Sequence, residues 1–390
     1  MKPAKPYILL IPSWYPPAGG GFFEEQAGML ARQGTSFVVL ANELRSLKKF
    51  SFKDFFHSSP RVVQEGPLIV IRKITWKIPY SEWLNFVVWT KVTLSMARFC
   101  IKRFGLPSLI HAHSAHWAGE ASFRLAKKYA IPYMITEHRG RFTAFNPYAG
   151  KCIKKWHKRY LKKVFRSAAS LAVVSPRQAD TIRLIAGKEC MIEWIPNMVD
   201  EQLFLPRQDI PLHPFFFVSV SVHEWHKGLD ILLHAFARVA KETDNVYLRL
   251  IGEGVLTLSL KQMATALGID SKVIFLGKKR REEVAAILAR SHVYVSASRI
   301  EGNSVSINEA LVTGLPVVST LTASSAGEIP SWAGKLSPPD DVDLLARNMR
   351  EIYLSYTVYS SQQIRKAAIA RYGTKVFTKK YLQIYNRYLC

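Results

Sequence analysis

Glu301 and Glu309 stand eight residues apart across the start of a candidate helix. An ionised carboxylate accepts hydrogen bonds from two vicinal hydroxyls, so such a pair suits a polyhydroxylated ligand. At about 1.5 Å of rise per residue the pair spans up to roughly 12 Å, near the reach from ribose to sugar ring in a nucleotide sugar. Between them, Gly302, Asn303, Ser304 and Val305 lead into the first turn. N–H groups there have no intrahelical acceptor and sit at the positive end of the helix dipole, which makes a seat for phosphate. One segment could thus grip all three parts of a sugar nucleotide. On spacing alone, an amphipathic helix with two solvated acids is the competing reading.

The elements that must position this pair follow from local pattern. Residues 293–295 close a β-branched run suited to a buried strand. The chain turns through 299–302, and a helix starts near Asn303 and Ser304, both favoured caps. It stops at Gly314 with Pro316 behind it, and 316–319 read as the next strand. Far upstream, 7–11 read as a strand, 12–21 as a Pro/Gly-rich turn and 22–33 as a helix, the opening unit of a doubly wound α/β domain. Gly20 and its neighbours let backbone approach a ligand closely, although the spacing is not the GxGxxG fingerprint. Further strands are expected at 36–41, 68–72, 109–113, 133–138 and 171–175. Residues 76–104 read as an aromatic helix with basic residues, and 47–60 as an irregular basic excursion.

Two histidine features carry chemistry. The strand at 109–113 runs into HAHSAHW, so His111, His113 and His116 could hold zinc, the basis of a metal-dependent hydrolase reading. Strand ends of that kind usually add an Asp, which this one lacks. His138 ends the strand at 133–138, at the sheet edge where open α/β sheets bind ligands.

A chain of 390 residues accommodates two domains, and 48% hydrophobic residues support full cores. The formal charge of +25 is uneven: residues 1–200 hold 31 Lys/Arg against 12 Asp/Glu, the remainder 23 against 17. The basic first half implies an anionic partner, whether nucleic acid, membrane surface or phosphorylated substrate. Residues 151–166 hold eight Lys/Arg and no acid, with apolar side chains near one helical face. Lys154, Lys155, Trp156, Lys158, Arg159, Lys162 and Lys163 are therefore candidates for contact with anionic lipid, a solvated face being the plain alternative. Four scattered cysteines and no apolar run of about eighteen residues lead to the expectation of a cytoplasmic protein, peripheral at the inner face of the cell membrane. A non-catalytic nucleic-acid-binding protein would share the charge, but no recognition element is visible.

The residues flanking the two glutamates are more specific than their spacing. EG at 301–302, NEAL at 308–311 and GLPVVST at 314–320 resemble the Glu-x7-Glu signature of retaining glycosyltransferase family 4, the glycosyl transferases group 1. PSWYPPAGGGFFEEQ at 12–26 resembles that family's first loop, TEH at 136–138 its TxH, and IPNMVD at 195–200 its interdomain passage. Lys227-Gly228 matches the family's Lys-Gly, and IGEG at 251–254 its glycine turn. Val222 departs from the pattern, since many members carry Arg there, which leaves phosphate neutralisation incomplete unless His223, His226 or Arg299 compensates.

The resemblance implies a GT-B fold: two Rossmann-like doubly wound domains, 1–200 and 201–372, facing a cleft, with a helix over 373–390 crossing back to the first. It implies transfer of a sugar, with retention, from a UDP- or GDP-sugar donor to a glycan or lipid-linked acceptor, in the manner of polysaccharide biosynthesis. No cofactor or metal is expected, since no DxD-type motif is placed to hold one, and no nucleic acid partner. Glu301 and His138 would act in catalysis. Gly20, Lys227, Gly254, Gly302, Asn303, Ser304, Val305 and Glu309 would bind the donor, with Lys227 on its phosphate.

Overall fold

The computed structural model describes residues 6–17, 19, 21–46, 59–142, 155–187, 190–322 and 329–389. The chain divides into two compact units. The first comprises residues 1–142, 148–195 and 378–390, and the second 143–147 and 196–377.

The first unit is built on β1 (Ile8–Pro12), β2 (Phe37–Ser46), β3 (Arg61–Glu65), β4 (Leu68–Lys77), β5 (Leu109–His113), β6 (Tyr133–Glu137), β7 (Ser170–Val173) and β8 (Ile192–Trp194). Their order across the sheet is β3-β4-β2-β1-β5-β6-β7-β8, parallel except for the β3/β4 hairpin. β1, β5 and β6 are buried along their whole length, as continuous apolar runs flanked by helices require. Its helices are α1 (Gly21–Arg32), α2 (Glu82–Phe104), α3 (Glu120–Tyr129), α4 (Lys155–Arg166) and α5 (Pro176–Ala186).

The helix expected from residue 76 begins later. β-branched Ile74 and Thr75 extend β4 to Lys77, and Pro79 disfavours helix at its neighbour, so α2 waits for the Ser81 cap, whose Oγ accepts from Leu84 N. Phe86, Trp89, Thr93, Met96, Cys100 and Phe104 then form its buried stripe. Trp89 Nε1 donates to the Asn42 carbonyl at 3.0 Å, which satisfies the indole inside the core. The excursion expected at 47–60 lies almost wholly outside the described residues.

The second unit carries β9 (Phe215–Val220), β10 (Val246–Ile251), β11 (Val273–Gly277), β12 (Val293–Ser296), β13 (Val317–Thr320) and β14 (Gly334–Ser337). All pair in parallel in the order β11-β10-β9-β12-β13-β14. Counted within the unit, this is the 3-2-1-4-5-6 order of a dinucleotide-binding domain, whose direction reverses between its first and fourth strands. Here those are β9 and β12. The helices are α6 (Leu229–Glu242), α7 (Thr257–Ala266), α8 (Arg281–Ala289), α9 (Val305–Thr313), α10 (Val342–Leu354), α11 (Ser361–Tyr372) and α12 (Thr374–Tyr385).

From Thr378 onward the last helix belongs to the first unit. Its tyrosines supply the packing there. Tyr381 Oη pairs with Thr136 Oγ1 at 2.9 Å, and Tyr385 Oη with His111 Nδ1 at 2.8 Å, all four side chains buried. Among the described residues, no helix is long and apolar enough to cross a membrane.

Candidate functional site

In the second unit the sequence-predicted donor residues gather where the strand order reverses. The loops after β9 and β12 leave the sheet side by side, and crevices at such points are where open α/β sheets bind ligands. A Cβ on Gly228 would meet the Ala297 carbonyl oxygen at 2.0 Å, and Gly228 has φ +61°. Only glycine lets these two loops touch. Glycines also join the β9 and β10 loops: a Cβ on Gly254 would lie 2.4 Å from the His223 carbonyl oxygen. Gly254 itself is exposed, with its N–H donating to Thr257 Oγ1 at 2.9 Å.

Lys227 ends a short 3₁₀ turn and reaches Glu301, Nζ to Oε1 2.5 Å. Ser298 Oγ donates to the same carboxylate oxygen at 3.0 Å. Gly302, Asn303 and Ser304 are buried beside it. Asn303 Oδ1 accepts from Asn197 N and from Asn308 Nδ2, which fixes the approach to α9. The helix then starts from Ser304 in extended conformation, with no side chain of Ser304 capping it. Val305 and Ser306 lie in the first turn, whose N–H groups have no intrahelical acceptor. Glu309, one turn further on and buried, takes Arg281 Nη2 on Oε1 at 2.7 Å.

None of the three residues that could compensate for Val222 is placed as a free cation. Arg299 is committed elsewhere: it donates to Asp230 through both Nη atoms, to Asp340 through Nε and to the Trp225 carbonyl through Nη1. Its side chain is 9% exposed, which suits a clamp on the loop better than a phosphate ligand. Burial, and then the Lys227 charge, hold His226 below the ordinary histidine pKa; burial does the same at His223. Neither imidazole therefore replaces a guanidinium charge at neutral pH. The cation that sequence reasoning missed is Arg281. It lies in the basic run KKRREE, and only the tertiary pairing with Glu309 distinguishes it from its neighbours.

In the first unit, His138 follows β6 and lies among Phe22, Phe23 and His113. His113 Nδ1 and His138 Nε2 are 3.0 Å apart, so one nitrogen donates to the other. Glu137 is fully buried and organises the strand ends. It accepts from Ser114 Oγ, Ala115 N, His138 N and Arg139 N. Gly20 and Lys154 lie outside the described residues, as do the side chains of Lys155 and Trp156. Lys158, Arg159, Lys162 and Lys163 are exposed on α4, while His157, Leu161, Val164 and Phe165 are buried.

The zinc reading of His111, His113 and His116 does not survive. Both His111 ring nitrogens are engaged, by Tyr385 and Thr136, and His113 is paired with His138. His116 Nδ1 pairs with Tyr160 Oη at 2.8 Å, away from both.

Known proteins agree with this architecture. The family described as Glycosyl transferases group 1 matches residues 200–371, and that described as Glycosyltransferase Family 4 matches 22–203. An MMP alpha-(1->4)-mannosyltransferase of Mycolicibacterium hassiacum is 31% identical over 287 residues, 70% of this chain and 66% of that protein. The gpi3 subunit of phosphatidylinositol N-acetylglucosaminyltransferase from Schizosaccharomyces pombe is 27% identical over 154 residues, 39% of this chain and 34% of that protein. The chain thus spans about a third of that relative's length. The solved sucrose-phosphate synthase of Thermosynechococcus elongatus superposes with a TM-score of 0.82, covering 98% of each chain at 18% identity. Such a likeness concerns the fold alone. With two parallel-sheet units, the glutamate pair at the switch point of the second, and both patterns spanning most of its length, the chain belongs to glycosyltransferase family 4, the glycosyl transferases group 1.

Proposed function

We propose that this protein is a retaining glycosyltransferase that moves a sugar from a UDP- or GDP-sugar to a glycan or lipid-linked acceptor. One observation carries the reading: Lys227, Glu301, the start of α9 and Glu309 come together at the β9/β12 switch point. Donor diphosphate rests on Lys227 and the α9 N-terminus, where positive charge and oriented N–H groups meet developing negative charge. Glu309 holds the ribose and Glu301 the transferred sugar. A structural neighbour, Alr3699/HepE of Anabaena, 16% identical with a TM-score of 0.73, has been solved with UDP and glucose, and a donor of that class is what we propose here.

For the transfer step, Glu137, the carboxylate next to His138 in sequence, is already engaged by four donors. This favours same-face transfer over a covalent intermediate. The bond from the anomeric carbon to the leaving phosphate oxygen breaks, and the bond to the acceptor oxygen forms on the same face. The acceptor proton passes to the leaving phosphate. His138 serves the transferred sugar. Its replacement by Ala is expected to lower transfer while donor affinity stays within about threefold. Donor binding needs no added Mg²⁺ or Mn²⁺.

The exposed cations of α4 suit an anionic bilayer, consistent with a lipid-linked acceptor. Lys158→Glu with Lys162→Glu should weaken binding to phosphatidylglycerol vesicles at least tenfold; unchanged binding removes this part of the reading. The donor assignment is tested by calorimetry against UDP- and GDP-sugars. Micromolar binding of at least one, abolished in Glu309→Ala, is expected, and binding of none would overturn it.

A further inference from the structure

We infer that Glu82, His116 and His157 of the first unit form a site for a divalent first-row metal ion, zinc foremost, that pins three elements together. Their ligand atoms all lie within 4.8 Å of one another. Glu82 opens α2, His116 sits in the irregular turn Ala115–Gly119 after β5, and His157 lies in the first turn of α4. The inference stands apart from the transfer reaction and from every residue assigned to it above.

Four observations support it. First, two imidazoles and one carboxylate are an ordinary zinc donor set. His157 and His116 are 1% and 3% exposed, so bulk water does not compete for their ring nitrogens. Second, the spacing is that of a loose ion pair with room between its atoms. His157 Nε2 and Glu82 Oε1 are 3.9 Å apart, beyond hydrogen-bond range. Zinc bonds of about 2.0–2.2 Å at tetrahedral angles place ligand atoms about 3.4 Å from one another. Side-chain shifts on the order of 1 Å would close the set.

Third, an outer partner is in place. His116 Nδ1 pairs with Tyr160 Oη at 2.8 Å, which orients the ring as second-shell groups orient metal ligands. The two imidazole planes cross at 69° with centroids 4.8 Å apart, and Phe86 and Trp117 flank them. Fourth, the backbone is strained at this point. Trp117, directly after His116, has φ +72° and ψ −71°, a conformation that persists only where surrounding contacts hold it.

The test uses the untagged full chain, stripped with chelator, dialysed and titrated with ZnCl₂ under elemental analysis and thermal shift. One zinc per chain is expected, with a rise in melting temperature. Glu82→Gln keeps the side-chain shape at a half-exposed position and should weaken zinc affinity at least tenfold, as should His157→Gln. If His157→Gln does not fold, Glu82→Gln decides alone. Failure of the wild-type chain to bind zinc at micromolar concentration overturns the site. Equal zinc affinity in wild type and Glu82→Gln overturns it too.

Discussion

Lys227 Nζ stands 2.5 Å from Glu301 Oε1, with the two side chains 17% and 12% exposed. The pair joins the loop after β9 to the loop after β12, and its members come from segments more than seventy residues apart. Under the proposed function, a diphosphate at Lys227 would compete with Glu301 for the ammonium, and Glu301 would keep Ser298 as a donor and have a lone pair for sugar hydroxyls. Lys227→Met should therefore lower kcat/KM by about 10²–10³, the usual loss when a preorganised charge is removed from a transition state. Glu301→Gln should lower kcat while leaving nucleoside-diphosphate affinity within a few-fold. Because the residues touch, the double variant should be less impaired than the product of the singles. Steady-state kinetics on all three variants reads this directly, and strict additivity contradicts it.

Glu309 presents a second ion pair, to Arg281, and the proposed ribose contact must share that carboxylate. Hydrogen bonds to a charged group contribute about 1.5–3 kcal/mol, so Glu309→Gln should weaken donor binding by about 10–100-fold. Arg281→Met leaves the carboxylate in place, and its effect on donor affinity should be smaller than that of Glu309→Gln. Calorimetric titration of the free nucleoside diphosphate measures both. Equal affinity in wild type and Glu309→Gln would remove Glu309 from the donor site.

Arg299 separates stability from binding. Its guanidinium bridges Asp230 and Asp340 and lies over the Trp225 ring, 4.9 Å from the centroid. The two aspartates keep partial solvent access, so loss of the clamp costs about 1–3 kcal/mol. Arg299→Gln should lower the melting temperature by several degrees and change donor KM by less than about threefold. A tenfold rise in KM with unchanged melting temperature would return Arg299 to the phosphate.

What was legible in the sequence was what short-range chemistry encodes. Ser304, Gly314 and the β-branched runs on either side place β12, α9 and β13 from local pattern alone, and both glutamates with them. The long pairings were not legible. Nothing in KKRREE marks Arg281 for Glu309, and nothing near Arg299 names Asp340. Elements with weak local signals were also missed. α7 starts at Thr257 behind Leu256, which offers no side-chain cap, and β14, GKLS, lacks a β-branched residue because its edge position asks only for backbone pairing. HAHSAHW drew attention by its spacing; alternation along the strand sets His111 and His113 on one face, with rings 4.2 Å apart, but His111 is taken by Tyr385 and Thr136 and His113 by His138, while the turn after the strand sends His116 to Tyr160.

Buried neutral histidines make acid stability a further test. Burial pushes His113 down to about 3 and His292 down to about 4. His292 accepts from Phe216 N through Nδ1 and donates through Nε2 to the Pro211 carbonyl, an arrangement that requires the neutral ring. In the unfolded chain each titrates near the ordinary value of about 6.5. Between those limits the unfolded state binds more protons than the folded one, so stability rises with pH. The contribution is complete above about pH 6.5 and is lost as pH falls toward 4 for His292 and toward 3 for His113. Each such histidine steepens the dependence by up to about 1.4 kcal/mol per pH unit. Melting temperature should be nearly flat from pH 7 to 8 and fall steadily from pH 6.5 to 4.5. His292→Gln, which offers an acceptor and a donor but no titrating ring, should be less stable at pH 7 and show a shallower acid slope. A slope identical to wild type would mean that His292 does not stay neutral in the folded protein.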